Sequence, residues 1–184
     1  SDLTVCRLAA DRFRVITGTS FLSNDLEWVR AHAPTDGSVE LRDVTDELAC
    51  IGLWGPAARD TLGQATDDGL DNDAFAYLTA RQITVAGKTA WAQRVSYIGE
   101  LGWELYLSND DAGAVWDALL ELGQAQGIRP AGYKALDSLR LEKGYVYWSV
   151  DVTPADNLLE AGLGFCADMT KGDFIGRDAL AKRR

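Results

Sequence analysis

Histidine is almost missing from this 184-residue chain, with His32 the only one. A single imidazole excludes a histidine metal cluster and leaves Ser-His-Asp or Cys-His chemistry almost nowhere to form. His32 stands ahead of Ala33-Pro34 at the end of a helical pattern, where it reads as a helix cap at the surface, not a base. Cysteine is scarce too. Cys6, Cys50 and Cys166 are odd in number, far apart and set in apolar runs, so the expectation is three small buried core residues in a reducing compartment, neither disulfides nor metal ligands. Basic residues are outnumbered, 18 Lys and Arg against 28 Asp and Glu, for a net charge of −10. That balance argues against nucleic acid or an anionic membrane as partner, since both call for clustered positive charge. No apolar run approaches the roughly 18 residues of a membrane span and no basic-then-apolar leader is seen. The expected setting is therefore cytoplasmic, or the mitochondrial matrix in a eukaryote. Glycines 52, 55 and 63 lack the strand-GxGxxG-helix spacing, so no dinucleotide site is expected within the chain.

What is present suits one domain with a real core: 47% of residues are hydrophobic. Alternation over residues 2–8 and 12–17, joined by Ala9-Ala10-Asp11, predicts a hairpin. A helix follows, with Ser20, Ser23 and Asn24 as candidate caps and Pro34 as its stop. Residues 39–44 and 48–54 read as strands, and Pro56 as the first residue of a helix reaching about Leu62. Residues 77–85 and 89–97 predict a second hairpin about Ala86-Gly87, and 102–108 a further strand. Asn109 is the expected cap of a helix with Asp110 and Asp111 in its first turn and an apolar stripe of Val115, Trp116, Leu119, Leu120 and Leu122. Residues 131–143 predict another helix. Strand-strand-helix order occurs over 3–32 and again over 89–126, so the fold class expected is α+β, built from pseudo-duplicated strand-strand-helix units rather than a parallel doubly wound sheet.

The most informative stretch is Val95-Ser96-Tyr97-Ile98-Gly99-Glu100-Leu101-Gly102-Trp103-Glu104-Leu105-Tyr106, in which two glycines and two carboxylates interrupt an apolar and aromatic run. Glycine here suits a tight turn or a close backbone approach. Alternation after Gly102 puts Trp103 and Leu105 on one face and Glu104 and Tyr106 on the other. The segment Tyr97 to Leu105 resembles the Tyr-Thr-Gly-Glu-x-Gly-aromatic-Glu-(Leu/Ile) signature of the glycine-cleavage T-protein family of folate-dependent aminomethyltransferases. Three further motifs stand in that family's order: Asp2-Leu3-Thr4-Val5, Leu53-Trp54-Gly55-Pro56-Ala57-Ala58 and Leu139-Arg140-Leu141-Glu142-Lys143-Gly144-Tyr145. The run from Arg140 through Trp148, Asp151 and Glu160-Ala161-Gly162-Leu163 to Asp173-Phe174-Ile175-Gly176-Arg177 is similar to the folate-binding part of dimethylglycine and sarcosine dehydrogenases and oxidases.

The resemblance implies a tetrahydrofolate-binding one-carbon transfer domain acting on a small N-methyl or aminomethyl substrate, with any FAD in a separate oxidoreductase domain or subunit. It implies that residues 1–184 are the central part of such a domain, with an N-terminal portion and a C-terminal barrel absent. It assigns Asp2 to the reactive folate amines, where a carboxylate stabilises positive charge building on nitrogen and takes its proton. It assigns Glu104 to the pterin ring, whose 2-amino-pyrimidinone edge offers two parallel N–H donors to one carboxylate. An exposed strand carboxylate is the plainer reading of Glu104. Tyr97 and Tyr77 match tyrosines that pack on the folate rings, with core packing the equal alternative for Tyr77. Arg140 is a further ligand candidate beside its reading as a helical ion pair with Glu142. The chain departs from the classical T-protein at Leu136, where that pattern has an arginine. No metal site is expected. The second functional reading is a non-catalytic member of the fold that serves as a binding or assembly module.

Overall fold

A computed structural model describes residues 1–183. They divide into two compact units, Leu3–Tyr145 in one and Ser1–Asp2 with residues 146–183 in the other. The fold is mixed α/β with small antiparallel sheets.

The larger unit holds both sheets. β1 (Thr4–Ala9) and β2 (Arg12–Ile16) make the expected first hairpin. α1 (Leu22–His32) follows, and its N-terminus has no side-chain cap; none of Ser20, Ser23 or Asn24 fills that role. Instead the buried Asp25 in its first turn accepts from Thr17 Oγ1 at 2.5 Å and from Asn24 Nδ2 at 3.1 Å. His32 ends α1 as expected, exposed, with Nδ1 donating to the Trp28 carbonyl at 2.7 Å and its ring stacked on that indole.

The second sheet runs β3 (Leu48–Trp54), β6 (Gly102–Ser108), β5 (Lys88–Gln93), β4 (Ala80–Val85), antiparallel throughout. Positive φ at Ala86 and Gly87 makes the two-residue turn that joins β4 to β5, the geometry whose twist matches the strands. Residues 39–44 form no strand: Val39 and Leu41 are 48% and 39% exposed, and alternation without a partner strand leaves the backbone unpaired. α2 (Ala58–Gly63), α3 (Asn109–Leu122) and α4 (Tyr133–Glu142) complete this unit. Ser108, not Asn109, caps α3, its hydroxyl accepting from the Asp111 N–H at 3.3 Å. The strand's last residue thus doubles as the cap, one position earlier than composition suggests.

One face of the sheet makes the core. Ile51, Leu53, Ala90, Ala92, Trp103, Leu105 and Leu107 point to Val115 and Leu119 of α3 and to Leu62 of α2, and Trp103, Leu105 and Leu62 are fully buried. Gly102 lets β6 close on the edge strand β3: a β-carbon there would run into the Leu53 carbonyl oxygen and stand 2.8 Å from the Trp54 Cα. Gly102→Ala is expected to destabilise the fold by about 3 kcal/mol, the upper range for overpacking, read as a lowered denaturant midpoint.

The smaller unit is built of turns. Asp151, Asp156, Glu160 and Asp168 accept backbone N–H groups a few residues away, and α5 (Arg177–Ala181) closes it. Strand-strand-helix order does recur, as β1-β2-α1 and β5-β6-α3, yet β1 and β2 pair alone through a tight turn. β5 and β6 instead lie inside a four-stranded sheet with residues 94–101 between them. Among the described residues no helix is long and apolar enough to cross a membrane.

Candidate functional site

The face of the four-stranded sheet opposite the core gathers polar, titratable and aromatic side chains. Period-two alternation places Glu104 and Tyr106 of β6 on it, with Cys50, Gly52 and Trp54 of β3 on one side and Trp91 and Gln93 of β5 on the other. The register makes two rows. Glu104 stands between Gly52 and Gln93; Tyr106 stands between Cys50 and Trp91. The β1–β2 hairpin reaches the second row, where Trp91 Nε1 donates to Cys6 Sγ at 3.4 Å and the Arg14 guanidinium lies 5.4 Å from the Tyr106 ring centroid. Gly52 leaves room for aromatic cover, since a β-carbon there would strike the Trp54 indole at 2.6 Å.

Glu104 accepts a hydrogen bond from Tyr106 Oη at 2.7 Å. Burial is the larger influence on its carboxyl and raises the pKa above the ordinary 4.5; the tyrosine bond pulls the other way. The charged form is therefore short of compensation. Burial also pushes the Tyr106 hydroxyl up, helped by the Cys50 and Glu104 charges. Among the described residues, the buried Gln93 Nε2 across from Glu104 and the Arg14 Nη1 by the Tyr106 ring have no hydrogen-bond partner. The face thus combines an under-solvated acceptor with donors left unused.

Cys50 corrects the expectation of three buried thiols: Cys6 is buried, while Cys50 and Cys166 retain exposed surface, and all three are free. The edge strand β3 turns Cys50 to the polar face instead of the core. Desolvation, then the Glu104 charge, push its thiol up to about 11, against a lowering bond with Tyr106. At pH 8 its thiolate fraction is about a hundredfold below that of a thiol at the ordinary 9.0. Cys50 is accordingly expected to react slowly with a disulfide reagent, and Glu104→Gln to speed it by removing the negative neighbour, which labelling followed by peptide mass analysis reads directly.

Tyr97 precedes β6 in the turn that Gly99 (φ +68) makes, and its ring lies tilted 6.4 Å from Tyr145. A β-carbon at Gly99 would meet the Lys143 side chain at 2.5 Å, and Lys143 Nζ pairs with Glu100 at 3.3 Å. The turn is thereby fastened to the end of α4. Arg140, 2% exposed, sits just before that end; Nε and Nη2 each reach Asp137 Oδ1 at 2.8 Å and Nη1 donates to the Tyr145 carbonyl at 2.8 Å. It pairs with Asp137, three residues back on α4. Tyr77 is 61% exposed beside Leu78, whose φ is +60, so it is not packed in the core. Asp2 is exposed and belongs to the other compact unit, where its charge adds to desolvation in raising the Cys166 thiol. The structure places Tyr97, Glu104 and Arg140 in one unit and joins Tyr97 to Arg140 through Tyr145. Gln93 and Cys50 were not singled out by motif reading, and Trp54 only as part of the Leu53-Trp54-Gly55-Pro56 motif. Their signal is a polar or aromatic residue at the odd position of an otherwise apolar strand.

An apolar cavity of about 340 Å³ adjoins β3 at its Trp54 end, between β3, α2, α3 and α4, with Trp54, Trp116, Leu136 and Leu139 in its wall. None of the five residues singled out by the motifs lines it.

Residues 1–171 match the family described as the GCVT N-terminal domain, and the chain belongs to that family. It is 39% identical over 182 residues to human mitochondrial dimethylglycine dehydrogenase, covering 98% of this chain and 21% of that protein. It is 41% identical over 182 residues to the formaldehyde-forming 4-methylaminobutanoate oxidase of Paenarthrobacter nicotinovorans, covering 98% and 22%, and 37% identical over 183 residues to the aminomethyltransferase of Chloroherpeton thalassium, covering 100% and 50%. The chain thus spans between about a fifth and a half of the length of these relatives. Among solved structures, the heterotetrameric sarcosine oxidase of Corynebacterium sp. U-96 in complex with pyrrole 2-carboxylate superposes with a TM-score of 0.54 at 17% identity, over 71% of this chain and 64% of that one. That likeness supports the fold.

Proposed function

We propose that this chain is a tetrahydrofolate-binding one-carbon transfer domain, the central part of a larger aminomethyltransferase-like enzyme. When bound, tetrahydrofolate supplies secondary amines that accept a carbon released from an N-methyl or aminomethyl substrate. The observation that carries the reading is Glu104, a carboxylate desolvated above its ordinary pKa and held by one tyrosine hydroxyl, with an unused amide donor on the next strand. Those residues fit the pterin. A 2-amino-pyrimidinone edge gives such a carboxylate two N–H donors at once, and the gain is large because the group starts poorly solvated.

Tyr97 is proposed to pack on the folate rings, with Tyr145 holding it upright. Tyr77, exposed and without a core role, is proposed to close on the ligand from outside. Arg140 is proposed to act through the backbone of Tyr145. Asp2 is proposed, on the motif alone, to hold and move the proton of the reacting amine. Any flavin would belong to a separate domain or subunit, a reading supported by the dehydrogenase and oxidase relatives and by the missing dinucleotide fingerprint. A cytoplasmic or mitochondrial-matrix location and an origin by duplication of strand-strand-helix units are proposed on the sequence alone. The relatives are enzymes by name, so the assembly-module reading is not carried further.

Isothermal titration of 5-formyltetrahydrofolate into the full chain tests the proposal. Saturable binding is expected, and the lack of any would overturn it. An Asp2→Asn variant is expected to keep folate affinity within about twofold while turnover falls about a hundredfold, the scale of general acid–base help.

A further inference from the structure

The row Gly52, Glu104, Gln93 holds one more group than the carboxylate needs. Gln93 is 2% exposed, directly across from Glu104 in register, and its Nε2 has no hydrogen-bond partner among the described residues. Its neighbours on β5 explain how it came to be buried. Ala90 and Ala92 face the core, so Gln93 faces the polar side, at the end of the strand. A buried amide bonded to nothing lowers stability, and such groups persist in folds where something else uses them. Glu104 does not satisfy it: that carboxylate takes the Tyr106 hydroxyl instead.

We propose that Gln93 is a ligand-recognition residue, whose side-chain amide donates to the ring carbonyl beside the amino-pyrimidinone edge held by Glu104. This rests on the folate reading of Glu104. The chemistry is a matter of sequence along one edge. A 2-amino-4-oxo-pyrimidine presents an exocyclic amine, a ring N–H and a carbonyl in a row, that is donor, donor, acceptor. A carboxylate takes the first two. The third needs a donor one strand over, and cross-strand partners stand about 5 Å apart, which suits adjacent contacts to one small ring. The amide can turn either end outward, and a carbonyl selects its N–H2. Gly52 on the opposite side has no side chain to compete, so the row is asymmetric, with recognition on the β5 side only.

The experiment compares wild type, Gln93→Met, Gln93→Glu and Glu104→Gln, each as the full chain, by titration with 5-formyltetrahydrofolate and by thermal unfolding without ligand. Methionine keeps the length and removes both polar atoms, so Gln93→Met is expected to weaken binding about fivefold or more while its Tm stays at or above wild type. Gln93→Glu sets an acceptor against the ring carbonyl and is expected to bind weaker still. If both Gln93 variants bind within twofold of wild type while Glu104→Gln does not, the Gln93 assignment fails and the folate reading of Glu104 stands. A large fall in the Tm of Gln93→Met would overturn the assignment as well, since the amide would then be structural. If wild type binds and Glu104→Gln binds equally well, the underlying site reading fails, and this inference with it; a wild type that does not bind overturns both.

Discussion

Glu104→Gln is expected to make the protein more stable at pH 7 and at least about tenfold weaker for folate, the second effect corresponding to the roughly 1.4 kcal/mol of one charge-assisted bond. Both follow from the same burial. The folded carboxyl titrates above the ordinary 4.5, because desolvation outweighs the bond from Tyr106. A group with a raised folded pKa contributes stability that is present in full below the unfolded value and is lost as pH rises through the folded one. At pH 7 the wild type therefore carries a penalty for ionising Glu104 in place. Glutamine does not ionise, and its Oε1 still accepts from Tyr106, so the variant is free of that penalty. The excess in Tm should be largest near neutrality and close as pH falls to about 4.5 and below. Folate affinity moves the other way, since an amide offers one acceptor and one donor where two acceptors are wanted. Thermal unfolding across pH 4 to 8, run beside the titration, reads both. A variant less stable than wild type at pH 7 would mean that the tyrosine bond outweighs burial. Function set against stability is expected of a residue kept for a ligand.

How far the sequence reaches can be seen strand by strand. Leu48–Trp54 and Gly102–Ser108 appear with the bounds that alternation predicts, because each has a strictly apolar face and a partner on which to bury it. Residues 39–44 alternate as well and form nothing, since alternation describes a face and cannot say whether a partner exists. Glu104 is legible through its motif. The rows around it are not, because they depend on the order β3-β6-β5-β4, which brings Gly52 and Gln93 to either side of one carboxylate from 52 and 11 residues away. Read alone, Gln93 is a polar residue at a strand end, and register is what turns it into a neighbour of the site. Cys50 shows the converse. Its apolar sequence neighbours imply burial in the core, and the edge strand directs it to the other face.

Arg140→Ala is expected to lower stability by about 3 kcal/mol, two to three charge-assisted bonds' worth, and to weaken folate binding only as a consequence. The guanidinium is 2% exposed and makes a fork: two nitrogens to Asp137 Oδ1, a third to the Tyr145 carbonyl. Asp137 is 59% exposed, so losing its partner leaves a hydrated carboxylate, which holds the cost below that of breaking a fully buried pair. The Tyr145 carbonyl is the more consequential end. The Tyr145 N–H donates in turn to the Arg140 carbonyl at 3.0 Å, so one residue fixes the chain leaving α4 from both sides. That chain carries the ring facing Tyr97 and follows the lysine lying over Gly99. Arg140→Lys separates charge from shape, because an ammonium on a flexible stem cannot span both acceptors as the planar fork does. If Arg140 held the ligand by charge, lysine would restore folate affinity and leave the Tm low. If it acts as a positioning residue, affinity and Tm should fall together in both variants, alanine more than lysine, with Tyr97 losing its fixed orientation by near-ultraviolet dichroism. The geometry predicts the second outcome, since the guanidinium is enclosed and already committed to a carboxylate and a carbonyl of its own chain.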